Sequence, residues 1–353
     1  MIEQRLQQVA KLCANLAKGQ FRLAKDPETQ AFCCAYLTEL SYNALLTKVE
    51  HELGKSCWRP LGRVLIVVSE KDVIGSLLAV LAAFITGNQI LVKARHSQPL
   101  LYWCKAQLQL TDEQLSILDW QSEDTVNEPD LASFNGLLLA GSLALMQYYR
   151  HRLSYPARLI EYGPKISAAV LMQINPQIVQ QLMQVVSVFS QQVCSSPQFI
   201  VIDEAISLDE LLAALTPELV KRHPLAAESK LVQASHYQQL QLLQRCDARL
   251  ISSAFSPETG WGISVSRGLA PDLWFKQGLN ICLGPAATLL DQAAQRWGDS
   301  LQTLGVVGNL NWQPSAFFRL CPLAQMHQRP LTAAHDGFFE LAALVNFYQD
   351  ERL

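Results

Sequence analysis

The sequence has little charge and no concentration of it. Of its 353 residues only 17% are charged, the formal net charge is -3, and no long run of Lys or Arg occurs. Binding to a nucleic-acid backbone as the main task needs clustered cations, so composition argues against it. Long apolar runs are also missing. The most apolar stretch, Ile74–Ile85, falls well short of the roughly 20 residues a spanning helix requires, and reads as a buried helix. Met1–Gln20 mixes charges with Leu, Val and Ala at helical spacing and lacks a signal-peptide pattern. No CxxC pair occurs, and no His or Cys stands at zinc-like spacing, so no metal is expected. The nine cysteines are odd in number and irregularly spaced, which reads as reduced thiols in a cytoplasmic protein. GxGxxG is absent, removing the standard dinucleotide fingerprint, and GxSxG is absent, removing a serine nucleophile elbow.

What is present is core-forming material. Half the residues are hydrophobic, and a chain of this length exceeds a usual single core, so two domains are expected. Helical patterns run over Ile2–Lys18 and Pro27–Leu53. Arg63–Ser69, Gln89–Lys93 and Gly136–Ala140 read as buried strands, Ser116–Asp119 as a weaker one. Helices are expected at Asp72–Ile85, Pro99–Leu110, near Thr125–Phe134 and at Ser142–Leu153. A strand at Ser167–Met172 leads into a long helix over Pro176–Gln192, then a strand at Phe199–Asp203 and a helix at Leu208–Lys221. His223–Trp274 is harder to read. Strands are expected at Leu279–Leu283 and Leu301–Val307, and the tail Phe338–Gln349 reads as a helix running into a strand. Alternating strands and helices imply α/β architecture with parallel sheets. Ligands of such sheets sit beyond the carboxyl ends of the strands, which places Lys93–Ser97 and Gly141-Ser142 at a ligand edge. The expected organisation is residues 1–158 as helices plus a nucleotide-binding domain, 159–330 as a second domain, and 331–353 as a tail packing back on the first domain or at a dimer interface.

Several residues are candidates for chemistry, each with a plainer alternative. Cys194 lies between Gln191-Gln192 and Ser195-Ser196, at the junction of a buried helix and a buried strand. A thiol there is either a partly exposed nucleophile or an ordinary core cysteine. Glu161, at the end of an apolar strand, is a general base or a solvated strand-end carboxylate. Lys93, Arg95 and His96 form a cationic strand end suited to a ribose and a phosphate, or a plain basic loop. Gly141-Ser142 at a strand-to-helix turn can present backbone N–H groups to a phosphate. His335-Asp336-Gly337 reads as a turn in preference to an oriented imidazole.

In this order the pieces resemble the aldehyde dehydrogenase superfamily. Thr86-Gly-Asn-Gln-Ile-Leu-Val-Lys93, Leu139-Ala-Gly-Ser142, Leu159-Ile-Glu-Tyr-Gly-Pro-Lys-Ile-Ser167 and Phe189–Pro197 carry the likeness. A narrower one, to LuxC-like acyl-CoA reductases, rests on Ser190–Gln198, Leu301–Val307, Arg319–Met326 and His335–Gly337. The resemblance spans about Gly62 to the end. It implies an aldehyde dehydrogenase-like fold of two α/β domains with the active-site cleft between them. It also implies Cys194 as the acyl-accepting nucleophile, Glu161 as the family's carboxylate, and cofactor contacts from Lys93, Arg95, His96, Gly141 and Ser142.

The activity so implied is reduction of an acyl thioester, acyl-CoA or acyl-protein, to an aldehyde with NADPH. Aldehyde oxidation with NAD(P), or a catalytically degenerate subunit that scaffolds an acyl-transfer complex, are the alternatives. An acyl-protein synthetase partner and a homodimer or higher homo-oligomer are implied as well. Four departures stand out. The family's oxyanion Asn has no match in Val68–Asp72, which leaves mainly the backbone N–H of Cys194. The acidic residue that follows the lysine in many NAD-dependent members is absent, with His96 near its position, which favours NADPH. The family's Glu-x-Phe-Gly-Pro segment is not evident, and the chain is shorter than typical bioluminescence reductases.

Overall fold

A computed structural model describes residues 2–119, 129–153, 155–203, 206–269 and 275–349. The chain divides into two compact units, Met1–Pro164 with Pro330–Leu353, and Lys165–Arg329.

The first unit opens with three helices, α1 (Ile2–Ala17), α2 (Pro27–Thr38) and α3 (Tyr42–Leu53). The periodicity over 27–53 suggested one helix. Ser41 divides it: its backbone is extended and its side chain accepts from the Ala44 N–H, capping α3. Then come β1 (Cys57–Pro60), β2 (Arg63–Val67), α4 (Val73–Ile85), β3 (Gln89–Ala94), α5 (Gln98–Leu108), β4 (Leu115–Asp119), β5 (Gly136–Ala140), α6 (Leu143–Arg150) and β6 (Arg158–Tyr162). Of the helix expected near Thr125–Phe134, Thr125–Glu128 lie outside the described residues; within them stands only a 3-10 turn, Leu131–Ser133. β2 to β6 form a five-stranded sheet in the order β4-β3-β2-β5-β6, every neighbouring pair parallel. The order reverses between β2 and β5, the crevice position where open α/β sheets take their ligands. α4 is apolar almost all round because α1 packs on it as well as the sheet. Asp72 caps it, accepting from the Gly75 N–H. Leu65, Val67, Leu137 and Leu139 meet Met146 and Tyr149 of α6 in one core.

The second unit contains β7 (Ile166–Leu171), α7 (Pro176–Ser187), β8 (Pro197–Ile202), α8 (Leu208–Val220), α9 (Ala227–Leu243), β9 (Leu250–Phe255), β10 (Gly262–Arg267), β11 (Gly278–Leu283), α10 (Ala286–Trp297), β12 (Leu301–Val307) and β13 (Arg319–Pro322). Its seven-stranded sheet runs β13-β12-β7-β8-β11-β10-β9, parallel except for the antiparallel edge strand β9. α7 lays Ile178, Val179, Leu182, Met183, Val185 and Val186 against one sheet face. Each such side chain, fully buried, stabilises by about 1.5–3 kcal/mol. α10 covers the other face with Leu289, Leu290 and Ala293.

The tail belongs to the first unit. α11 (Glu340–Ala343) precedes β14 (Val345–Tyr348), which pairs antiparallel with β1. Buried Lys48 pairs with both Glu52 and Glu340, and Glu52 also accepts from the Leu341 N–H. Among the described residues, no helix is long and apolar enough to cross a membrane. No group of three or more His, Cys, Asp or Glu among them is placed to hold a metal ion.

Candidate active site

Nine thiols are present and none forms a disulfide. Cys13, Cys33, Cys104 and Cys282 are buried, and burial pushes the Cys13 and Cys104 thiols up to about 12, so these stay protonated and inert. Cys194 is only partly buried. It sits at the amino edge of the seven-stranded sheet, three residues before β8 begins.

The chain reaches Cys194 by an unusual turn. The long helix expected over Pro176–Gln192 ends at Ser187, and Phe189, Ser190 and Gln191 all have positive φ, 57°, 49° and 57°. Left-handed backbone costs a side-chain-bearing residue roughly 1–2 kcal/mol, so three in succession persist only when their surroundings hold them. Gln191 is the main clamp. Its buried Nε2 donates to Pro197 O (2.6 Å) and Gly278 O (2.9 Å), and its Oε1 accepts from Gly278 N (2.5 Å). Gln277 Nε2 donates to Ser190 O at 2.9 Å. Gly278 is required at this approach, since a Cβ on it would lie 2.5 Å from the Gly262 carbonyl oxygen.

Three further contacts fix the cysteine itself. Ser167 Oγ, fully buried on β7, donates to Cys194 O at 2.6 Å and accepts from Thr303 N at 3.2 Å. Gln302 Nε2 on β12 donates to Cys194 Sγ at 3.1 Å. The neighbouring Ser195 Oγ lies 2.8 Å from His327 Nδ1, while His327 Nε2 faces Val185 O at 2.7 Å. A carbonyl oxygen only accepts, so Nε2 carries the proton and Nδ1 accepts from Ser195. Burial pulls the His327 pKa down to about 4, so the ring is neutral near pH 7. Gln302, His327 and Ser167 carried no signal of their own in the sequence. Gln302 stands out only as an amide beside Thr303 in a mostly apolar strand.

The residues expected at the other sheet lie in the first unit. Lys93, expected to end its strand, is the penultimate residue of β3; it is 1% exposed, and its ammonium donates to Tyr149 Oη at 2.9 Å. Arg95 and His96 are exposed in the loop that follows. The sequence suggested that no carboxylate stands there. The fold brings one in from the loop after β2: Glu70 accepts from the N–H groups of Arg95 (2.5 Å), His96 (3.0 Å) and Ser97 (2.9 Å) and from Ser97 Oγ (2.7 Å). The N-terminus of α5 is thus already occupied by an anion. At the carboxyl end of β5, Gly141 and Ser142 lead into α6, whose exposed first turn is capped by Ser142 Oγ accepting from Leu145 N at 3.3 Å. Glu161 on β6 is held by both oxygens, Arg150 Nε donating to Oε1 at 2.7 Å and Arg150 Nη2 to Oε2 at 2.5 Å. His335 is part of a tight hairpin whose central residues Asp336 and Gly337 have φ of 51° and 93°, the conformation an Asp-Gly pair favours. Its ring contacts Tyr162 and lies 3.1 Å from Glu340 Oε1.

A parallel sheet with a switch point and an exposed helix N-terminus at the end of β5 fits the pyrophosphate of a nicotinamide dinucleotide. Arg95 and His96 fit a 2′-phosphate, with Glu70, from the loop after β2, as an opposing charge beside them.

Comparison with known proteins agrees with this architecture. The family model described as acyl-CoA reductase (LuxC) matches residues 38–347. No curated protein matches the chain. Among solved structures, glyceraldehyde-3-phosphate dehydrogenase from Methanocaldococcus jannaschii, complexed with NADP, is similar at 14% identity and TM-score 0.70, over 98% of this chain and 88% of that one. Succinic semialdehyde dehydrogenase from Streptococcus pyogenes, with NADP+ as the cofactor, gives 13% identity and TM-score 0.71, over 98% and 89%. Proline utilization A from Bradyrhizobium japonicum gives 14% and 0.73, but this chain spans only 42% of that one. At these identities the likeness is one of fold, and the fold is aldehyde dehydrogenase-like.

Proposed function

The chain belongs to the acyl-CoA reductase (LuxC) family, and from that premise we propose that it reduces an acyl thioester, carried by CoA or by a protein, to the aldehyde with NADPH through an acyl-enzyme on Cys194. The observation that carries this reading is the clamped left-handed turn. Strain in Phe189–Gln191, held by the buried Gln191 amide, delivers a partly exposed thiol with a donor on its sulfur. Structural cysteines need no such arrangement.

In the proposed reaction the Cys194 sulfur attacks the carbonyl carbon of the thioester. A new C–S bond forms, the bond to the carrier sulfur breaks, and the carrier leaves as a thiol after taking a proton. The backbone N–H of Cys194 is a donor for the oxyanion of this step. NADPH, if held by Gly141, Ser142, Arg95 and His96, would supply the hydride that reduces the enzyme thioester. Cys194 then departs as the C–S bond breaks and the aldehyde carbonyl forms. Gly141 and Ser142 are assigned to the pyrophosphate, Arg95 and His96 to the 2′-phosphate. Lys93 is assigned to the adenosine ribose, where it would share or exchange its bond to Tyr149. Glu161 is the family's carboxylate; with both oxygens on Arg150, it would have to leave that partner before accepting a proton. Aldehyde oxidation, which needs a base for water, therefore draws less support. An acyl-protein synthetase as partner, a homo-oligomer and a cytoplasmic location complete the proposal.

Steady-state assays test it. Acyl-CoA with NADPH is expected to yield aldehyde and NADP+ in equal amounts. Aldehyde-dependent reduction of NAD(P)+ with no activity in the other direction would overturn it.

A further inference from the structure

The register of the seven-stranded sheet shifts beside Cys194, as it also does between β10 and β9. Along β12 and β7 the pairing shifts between Leu301/Ile166 and Leu304/Ala168, and along β7 and β8 it shifts between Ser167 and Ala168. Gln302 and Thr303 are the residues left in the irregular part of β12. Such bulges bend a strand and re-aim a side chain. Here Ser167 Oγ spans the gap, accepting from Thr303 N while donating to Cys194 O. The amide that the bulge re-aims is that of Gln302, which is 6% exposed and donates to Cys194 Sγ.

The place itself calls for such a donor. Cys194 follows α7 at the amino edge of the sheet, the edge to which α7 brings its C-terminal end. A helix C-terminus carries partial negative charge and disfavours an anion beside it. No helix N-terminus precedes Cys194 to lower its thiol pKa in the usual way. A buried amide is also costly to place in an apolar strand unless it is bonded.

We propose that Gln302 is a catalytic residue that donates its side-chain N–H to the Cys194 sulfur and so holds it as the thiolate. The thiol proton leaves to solvent, and the amide dipole stabilises the sulfur charge before attack and again when the thiohemiacetal releases it. The proposal rests on the reading of Cys194 as the nucleophile.

The test is the pH dependence of Cys194 alkylation by iodoacetamide, followed by peptide mass mapping in the full-length protein. The exposed Cys246 serves as internal control. Replacing Gln302→Met keeps the size and removes the donor; the alkylation midpoint of Cys194 is expected to rise by about one pH unit, a tenfold loss of thiolate. Gln302→Glu sets a carboxylate against the sulfur and should raise it further. Cys246 should not move in either. Should the Met variant fail to fold, Gln302→Asn, which keeps the amide and shortens its reach, is expected to shift the midpoint in the same direction. A midpoint that stays put, or falls, as it would were the amide oxygen accepting from the thiol, overturns the proposal. Acyl-CoA labelling of the unmodified protein separates the two readings. Labelling at Cys194 with unmoved midpoints defeats only the role of Gln302. Shifted midpoints with no labelling defeat the nucleophile and leave the donor in place.

Discussion

The two parallel sheets place their candidate residues at opposite edges. In the five-stranded sheet they lie at the carboxyl ends, Lys93 to Ser97 at the end of β3 and Gly141-Ser142 after β5, where the chain turns into helix N-termini. In the seven-stranded sheet they lie at the amino edge: Ser167 at the start of β7, Gln302 at the start of β12, and Cys194 just before β8. The difference follows from the chemistry each edge can offer. Carboxyl edges meet positive helix ends and suit phosphates. Amino edges meet helix C-termini, so a sulfur anion there depends on side-chain donors and on backbone held out of its usual range. Occupancy differs too: the first edge already has its donors engaged by Glu70 and Ser142, while the second aims a donor at a reactive atom.

The sharpest way to break this contrast is to remove a clamp on each side. Gln191→Leu deletes three buried hydrogen bonds and leaves the Gly278 N–H and two carbonyls without their partner. Chemical denaturation should show a loss of about 3 kcal/mol or more, with aldehyde formation lost as well. Ser142→Ala removes only a helix cap and should cost about 1 kcal/mol. Equal losses would mean that the turn before Cys194 is no more clamped than an ordinary helix start.

The next effect in size is a pH dependence confined to the second unit. His327 is held neutral, its pKa lowered from 6.5 to about 4. Between those values the unfolded chain binds the proton and the folded chain does not, so stability rises with pH. The contribution is full above pH 6.5 and lost as pH falls toward 4, about 3 kcal/mol in all. Melting curves of the native protein and of His327→Asn should therefore converge as pH falls through that window; parallel curves would contradict the assignment.

The smallest effect concerns the cofactor. Glu70→Gln removes the charge beside Arg95 and His96 and leaves one acceptor oxygen where the carboxylate had two. The ratio of kcat/KM for NADPH over NADH is expected to rise by about three- to tenfold. A fall would assign Glu70 to cofactor binding by another route.

Much of this fold is legible in the sequence, because buried strands such as Arg63–Val67 and Gly136–Ala140 are short apolar runs and α4 is apolar all round. Local signals also mark the Asp336-Gly337 turn. What escapes is set by distant partners or by backbone that composition does not announce. Phe189-Ser-Gln191 contains no glycine, so nothing local signals a left-handed turn, and Pro176–Gln192 reads as one helix. Cys57–Pro60 becomes a strand only because Val345–Tyr348 comes to pair with it. The carboxylate beside Arg95 comes from Glu70, the proton acceptor beside Ser195 from His327, and the donor on Cys194 from Gln302, 108 positions away. The cysteine itself had no local signature stronger than those of the other thiols; its place after Lys93, Gly141-Ser142 and Glu161 is what singled it out.

The acyl group is expected to attach at Cys194. Incubation of the full chain with acyl-CoA in the absence of NADPH, followed by intact mass and peptide mapping, should show one acyl group on the peptide carrying Cys194. It should be absent in Cys194→Ala and discharged as aldehyde when NADPH is added. An adduct on another residue, or aldehyde formation that survives in Cys194→Ala, would contradict it.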